Sequence, residues 1–219
     1  KIIVSIMAKK VASGDTHLVL DIPVGPTLKI QHYKDAEIIA KKFTFLAEKF
    51  HIKVTIDINE TRQNAGRGIG PVLEARDVLQ VLEQAKARPL ALEAKALRLA
   101  GKLLSLCFTD MPGKKDLIGE DVARDILTNG RALAKMRDII KAQGGDAAVN
   151  SQDLAPGKYR RDISARHAGK INAMNNQQIA IICKILGCPT DKKAGMYLAR
   201  KLDERVDKGD ILCTLYASD

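Results

Sequence analysis

Apolar residues recur along this chain at two intervals, and the change from one to the other marks out its elements. Residues Ile2 to Ala12 read as a helix that ends at Ser13-Gly14, where glycine supplies the C-cap. "THLVLDI" follows as a continuous apolar run, the pattern of a strand covered on both faces. "YKDAEIIAKKFTFLAEKF" then places Ile38, Ile39, Phe43, Leu46 and Phe50 at helical spacing and returns the chain to a second strand, "IKVTIDI". Helices alternating with strands in this way imply a mainly parallel sheet, whose ligands bind beyond the carboxyl ends of the strands. The loops "DIPVGPTLKI" and "NETRQNAGRGIG" are therefore candidate site loops, and Lys29 hangs over the ligand edge.

From Pro71 to Gly145 the pattern is helical throughout: "PVLEARDVLQVLEQA", "PLALEAKALRLAGKLLSLCF", "GEDVARDILTNG" and "ALAKMRDIIKAQ". Pro71 and the Gly119–Asp121 segment supply helix starts. Residues 150–160, "NSQDLAPGKYR", read as a linker between an α/β domain over 1–150 and a β-rich domain over 161–219. In the latter, "DISARHAGKINAM" reads as a strand pair, "NNQQIAIICKILG" as one helix, and the remainder as short strands. The expected fold class is α/β: a partial, mainly parallel sheet with flanking helices, followed by a small β-rich α+β domain.

Composition narrows the function. The 219 residues are 46% hydrophobic but only 4% aromatic, with no Trp, which speaks against aromatic stacking of bases, the usual device of single-strand binders. The net charge of +10 points toward polyanions, but residues 161–219 hold ten Lys/Arg against seven Asp/Glu, and no block of five like charges occurs. Solvated helix faces account for this better than a nucleic-acid footprint. No apolar run is long enough to span a membrane. The start, "KIIVSIMAKK", is too short and too charged for a signal peptide; it lacks an initiator Met and reads as part of a longer chain. Cys107, Cys183, Cys188 and Cys213 stand singly in apolar runs, as reduced thiols of a cytoplasmic protein do.

Candidate chemistry is sparse. "AGRGIG" (Ala65 to Gly70) lies between a strand and a helix, where glycines let backbone amides approach an anion. It matches neither the dinucleotide fingerprint nor the P-loop, and a plain tight turn describes it at least as well. His17, His32, His51 and His167 lack partners at catalytic or metal spacing. Ser5 and Lys9 stand four apart on one helix, so a hydroxyl and an ammonium share a face.

Taken in order, "SIMAKK", "LVLDIPVG", "GRGIGPVLEARDVLQVL", "NGRALAKMRDIIKAQGGD" and "VDKGDILCTLYAS" resemble the thymidine/pyrimidine-nucleoside phosphorylases over the whole chain. The turn Asp21 to Lys29, "DIPVGPTLK", is most similar to the archaeal branch that uses nucleotides, the AMP phosphorylases. "TDKKAGM" with "DKGDIL" downstream resembles lipoyl-carrier domains and suggests a barrel-sandwich shape for the β-rich domain.

The resemblance implies phosphorolysis of a nucleoside 5′-monophosphate (AMP, with CMP and UMP as further candidates) to base and ribose 1,5-bisphosphate. Inorganic phosphate would be a co-substrate, with no other cofactor and no metal. Ser5 and Lys29 match positions that contact the nucleotide, and Lys9 matches a base-contacting lysine of the pyrimidine branch. In some relatives a monovalent cation sits on loop carbonyls corresponding to Ala65–Gly68, beside an acidic residue like Asp77; Arg67 is an unexpected cation there. The family's phosphate loop, its N-terminal helical domain and its acidic proton donor would all precede Lys1, leaving no catalytic acid within the chain. The implied picture is the C-terminal portion of an enzyme, inactive alone, cytoplasmic, and a homodimer or larger homo-oligomer, with no nucleic-acid or membrane partner. The alternatives are a pyrimidine nucleoside phosphorylase and an assembly module without catalysis of its own.

Overall fold

A computed structural model describes residues 2–218. The chain divides into two compact units: residues up to Thr61 with Lys95–Asp125, and Arg62–Ala94 with Ile126 onward.

In the first unit α1 (Ile2–Ala12), β1 (His17–Val24), α2 (Tyr33–Lys49) and β2 (Lys53–Glu60) follow one another as expected. β1 and β2 pair in parallel, with His17 opposite Lys53 and Val24 opposite Glu60. Period-two alternation sorts their side chains onto two faces. Leu18, Leu20, Val54 and Ile56 pack with Met7 of α1 and Phe43 and Ala47 of α2, while Ile22, Val24 and Ile58 close over Ala36. The opposite face is not apolar, contrary to a strand covered by hydrophobic layers on both sides. It carries His17, Asp21, Lys53, Asp57 and Asn59, with ion pairs to α4 (Leu90–Phe108). α5 (Gly119–Thr128) follows.

The second unit is built on a four-stranded antiparallel sheet in the order β3-β6-β8-β4, from Gly68–Ile69, Gly195–Leu198, Ile211–Ala217 and Tyr159–Ser164. A separate ribbon pairs β5 (Gly169–Lys170) with β7 (Arg205–Val206). The strand pair expected within "DISARHAGKINAM" does not form, because β4 finds its partner in β8 and β5 in β7. Helices α3 (Pro71–Leu82), α6 (Arg131–Ala142) and α7 (Asn176–Ile185) complete the unit. Its core centres on Cys183, Met196 and Leu198, with Ile69, Ile179 and Leu215 around them. The segment expected as a linker is tied down: Ser151 is buried and donates from its N–H and its hydroxyl to Glu83, at 2.8 and 2.5 Å.

Candidate functional site

In the first unit, α1 turns Met7, Ile3 and Ile6 into the core and leaves Ser5 and Lys9 exposed on its outer face. Ser13 closes the helix by donating to the carbonyls of Lys9 and Lys10, at 3.0 and 3.1 Å. Lys29 is exposed on the loop that leaves β1. Among the described residues the side chains of Ser5, Lys9 and Lys29 form no hydrogen bond or ion pair, so each presents its polar group outward. Ser5 and Lys9 share one helix face as their spacing predicted.

The Lys29 loop is rooted by backbone hydrogen bonds. Gly25 N–H donates to Ile30 O at 3.0 Å and Leu28 N–H to Gly25 O at 3.1 Å, folding residues 25–30 back on themselves. Thr61 N–H donates to Val24 O at 2.8 Å, which joins the loops leaving β1 and β2. A Cβ on Gly25 would lie well inside 3.0 Å of the Thr61 carbonyl oxygen, so no other residue fits between the two. This explains why the chain leaves β1 through Gly25-Pro26 before presenting a lysine.

Beneath that junction lies a polar cluster that the linear reading overlooked. Asp57 is only 3% exposed; Arg98 reaches its carboxylate at 2.6 Å, and Lys102 is also bonded to it. Asp21, opposite Asp57 in register, pairs with Lys95 at 2.6 Å. The Asn59 amide donates to Asp21 at 2.5 Å and to Asp57 at 3.3 Å, and the Thr61 hydroxyl donates to Asn59 Oδ1 at 3.0 Å. Three cations from α4 thus face two carboxylates, and the chain of bonds ends at Thr61, against which Gly25 packs. We read Asp21, Asp57 and Asn59 as positioning residues for the Lys29 loop. The signal was present: an aspartate inside each apolar strand, and a Lys95, Arg98, Lys102 stripe at helical spacing.

The glycine-rich loop belongs to the second unit. Two of its amides are taken by a carboxylate of the protein itself. Asp77 of α3, 2% exposed, accepts from the N–H groups of Arg67 and Gly68 at 2.6 and 2.7 Å. A Cβ on Gly66 would stand 2.7 Å from the same carboxylate oxygen. The loop carbonyls face a cation of the protein itself. Lys201, 8% exposed, donates to Gly66 O at 2.8 Å and also to Asn64 O. Burial, reinforced by the Arg67 guanidinium, pushes its ammonium down to about 8. The Arg67 guanidinium bonds Leu198 O and Ala199 O at 3.1 and 2.9 Å, and Glu204 at 3.3 Å. The Arg67 and Gly68 amides and the Asn64 and Gly66 carbonyls are thus satisfied internally, which favours the tight-turn description over the phosphate cradle. Lys201 was not singled out in the sequence; nothing local distinguishes it from its neighbours.

Known proteins bear out the resemblance drawn from the motifs. Residues 170–219 match the pyrimidine nucleoside phosphorylase C-terminal domain. Over nearly its whole length the chain is a homologue of thymidine and AMP phosphorylases. It is 41% identical over 217 residues to a putative thymidine phosphorylase of Methylococcus capsulatus, covering 99% of this chain and 40% of that protein. It is 40% identical to a putative thymidine phosphorylase of Albidiferax ferrireducens, covering 99% and 41%. It is 39% identical over 213 residues to the AMP phosphorylase of Methanocaldococcus jannaschii, covering 97% and 41%. The chain therefore spans about 40% of the length of these relatives.

Proposed function

We propose that this chain belongs to a pentosyltransferase that cleaves nucleoside 5′-monophosphates, AMP foremost and CMP or UMP as alternatives, with inorganic phosphate. A phosphate oxygen bonds to C1′ as the bond from C1′ to the base nitrogen breaks. Positive charge develops on the sugar, as in glycoside cleavage, and negative charge on the departing base. An ammonium beside the base offsets that charge or delivers a proton where it is needed. Lys29 fills this role in the proposal, Ser5 hydrogen-bonds the nucleotide, and Lys9 lies alongside the base. The observation that carries the reading is Lys29: an exposed ammonium with no partner among the described residues, on a rooted loop at the carboxyl end of a parallel strand. The AMP phosphorylases among its relatives support the choice of a nucleotide.

Relatives described as putative thymidine phosphorylases, at 40–41% identity, favour a second reading in which the substrate is a pyrimidine nucleoside. Titration calorimetry of the chain with AMP, adenosine and thymidine separates the two. AMP binding that weakens at least tenfold in Lys29→Ala and Ser5→Ala supports the nucleotide reading. Thymidine binding without AMP binding overturns it. Neither a phosphate loop nor a proton-donating acid is identified within the chain, so we further propose that it does not turn over alone; phosphate-dependent release of adenine from AMP by this chain contradicts that.

We also infer a cytoplasmic homodimer whose β-rich part, shaped like a barrel-sandwich, joins subunits. The four-stranded sheet with its separate ribbon supports that shape, and no described helix is long and apolar enough to cross a membrane. Sedimentation at the 23.9 kDa monomer mass at micromolar concentration refutes the dimer.

A further inference from the structure

The end of α7 sets two cysteines side by side. Cys188 N–H donates to Cys183 O at 2.9 Å and Gly187 N–H to Lys184 O at 3.1 Å, with Gly187 at φ 114°. These nested six-to-one and five-to-two bonds are the Schellman arrangement, which brings the first and sixth side chains into contact. Here both are thiols. Cys183 is buried and Cys188 is half-buried, in the core that also holds Met196 and Leu198. The Cys188 thiol donates to Ala194 O at 2.9 Å, and a Cβ added to Gly70 would meet its sulfur at 3.0 Å. Ala194 leads directly into β6, the partner of β3, and Gly70 directly follows β3. The Cys188 sulfur therefore meets both strands at one end of the pairing that anchors the glycine-rich segment.

We propose that Cys183 and Cys188 are a dithiol–disulfide pair, a redox modification site whose oxidation by a small-molecule disulfide loosens the β3–β6 pairing. The half-buried Cys188 reacts first. Its thiolate attacks one sulfur of the reagent, forming a mixed disulfide and expelling one thiolate. The Cys183 thiolate then attacks the Cys188 sulfur and expels the second. The protein loses two protons and two electrons, which leave as two molecules of reduced thiol. Burial raises both thiols, Cys183 to about 11, so the reaction is slow at neutral pH and faster in mild alkali. In the oxidised form Cys188 has no proton to donate to Ala194 O, and its sulfur turns from Gly70 toward α7. The β3–β6 pairing then loses a hydrogen bond at Ala194 and a packing contact at Gly70 together.

The chemistry is readily followed, because trypsin cuts after Lys184, between the two cysteines. The reduced chain is incubated with oxidised glutathione at pH 8.5, alkylated and digested. The expected product is peptide 171–184 joined to peptide 185–192, formed equally by Cys213→Ser and absent from Cys188→Ser. Alkylation of both thiols, a persistent glutathione adduct on Cys188, or a Cys183–Cys213 link overturns the assignment. Hydrogen–deuterium exchange of the oxidised chain tests the coupling: the amides of Gly68, Ile69, Gly70 and Val72 are expected to exchange at least tenfold faster, recovering on reduction. Unchanged protection there, or loss of protection throughout the chain, refutes it.

Discussion

Lys201 makes a prediction whose sign follows from the burial of a cation. In the unfolded chain its ammonium titrates at the ordinary lysine value near 10.5, whereas in the fold burial and Arg67 bring it down to about 8. Below about 8 both states hold the proton, and the fold carries the whole cost of burying it. Between about 8 and 10.5 the unfolded chain binds more protons than the folded one, so stability rises with pH through that window. The displacement of about 2.5 pH units corresponds to about 3 kcal/mol, reached in full only above about pH 10.5. Lys201→Met keeps the stem and removes the titration, so the difference between the two proteins isolates this group from every other lysine, tyrosine and cysteine. Urea unfolding at constant ionic strength, with a phosphine reductant, should show wild type gaining roughly 2 kcal/mol on the variant from pH 7.5 to 10. A flat difference, or one that falls, refutes the assignment of a buried, proton-shedding ammonium to the Asn64 and Gly66 carbonyls.

Other perturbations probe the first unit. Gly25→Ala drives a methyl group into the Thr61 carbonyl and should cost about 2–4 kcal/mol in urea unfolding, from overpacking and strained loop hydrogen bonds. Gly113→Ala meets no atom within 4 Å and bears only the strain of its φ of 73°, so it should cost about 1–2 kcal/mol; the reverse order contradicts the close approach. Asp57→Ala leaves Arg98 and Lys102 without their buried carboxylate and should cost about 3–5 kcal/mol, while Arg98→Ala alone costs less because that side chain is 36% exposed. Lys29→Ala should leave the urea midpoint unchanged while weakening AMP binding; a large loss of stability would show that the exposed lysine holds the fold rather than the ligand.

Much of the candidate site was legible because its parts are local. Ser5 and Lys9 share a face for the simple reason that a helix repeats every 3.6 residues. Lys29 was found because the apolar run "THLVLDI" gives way to the loop "DIPVGPTLKI", and loops after parallel strands are where ligands sit. The cluster beneath the loop was less visible. "LVLDI" and "VTIDIN" look like runs meant for burial, and an aspartate inside such a run becomes meaningful only with a facing cation. Lys95, Arg98 and Lys102 follow Asp57 by more than 35 residues, beyond the reach of any pattern window. The expected β4–β5 hairpin went wrong for a related reason. Adjacent strands often pair, but here each short strand gains more backbone bonds from a partner further along the chain.

The amino-acid order alone determined the helices, the β1–α2–β2 unit, the rooted lysine turn and the family resemblance, because each is written in spacings of a few residues. Tertiary structure alone decided which charge answers which. Lys201 finds the carbonyl of Asn64 across 137 residues, and Asp77 takes the amides that a phosphate loop would have left open. A backbone amide or carbonyl carries the same bonding capacity whatever its sequence, and the identity of its partner is known only when distant segments have packed.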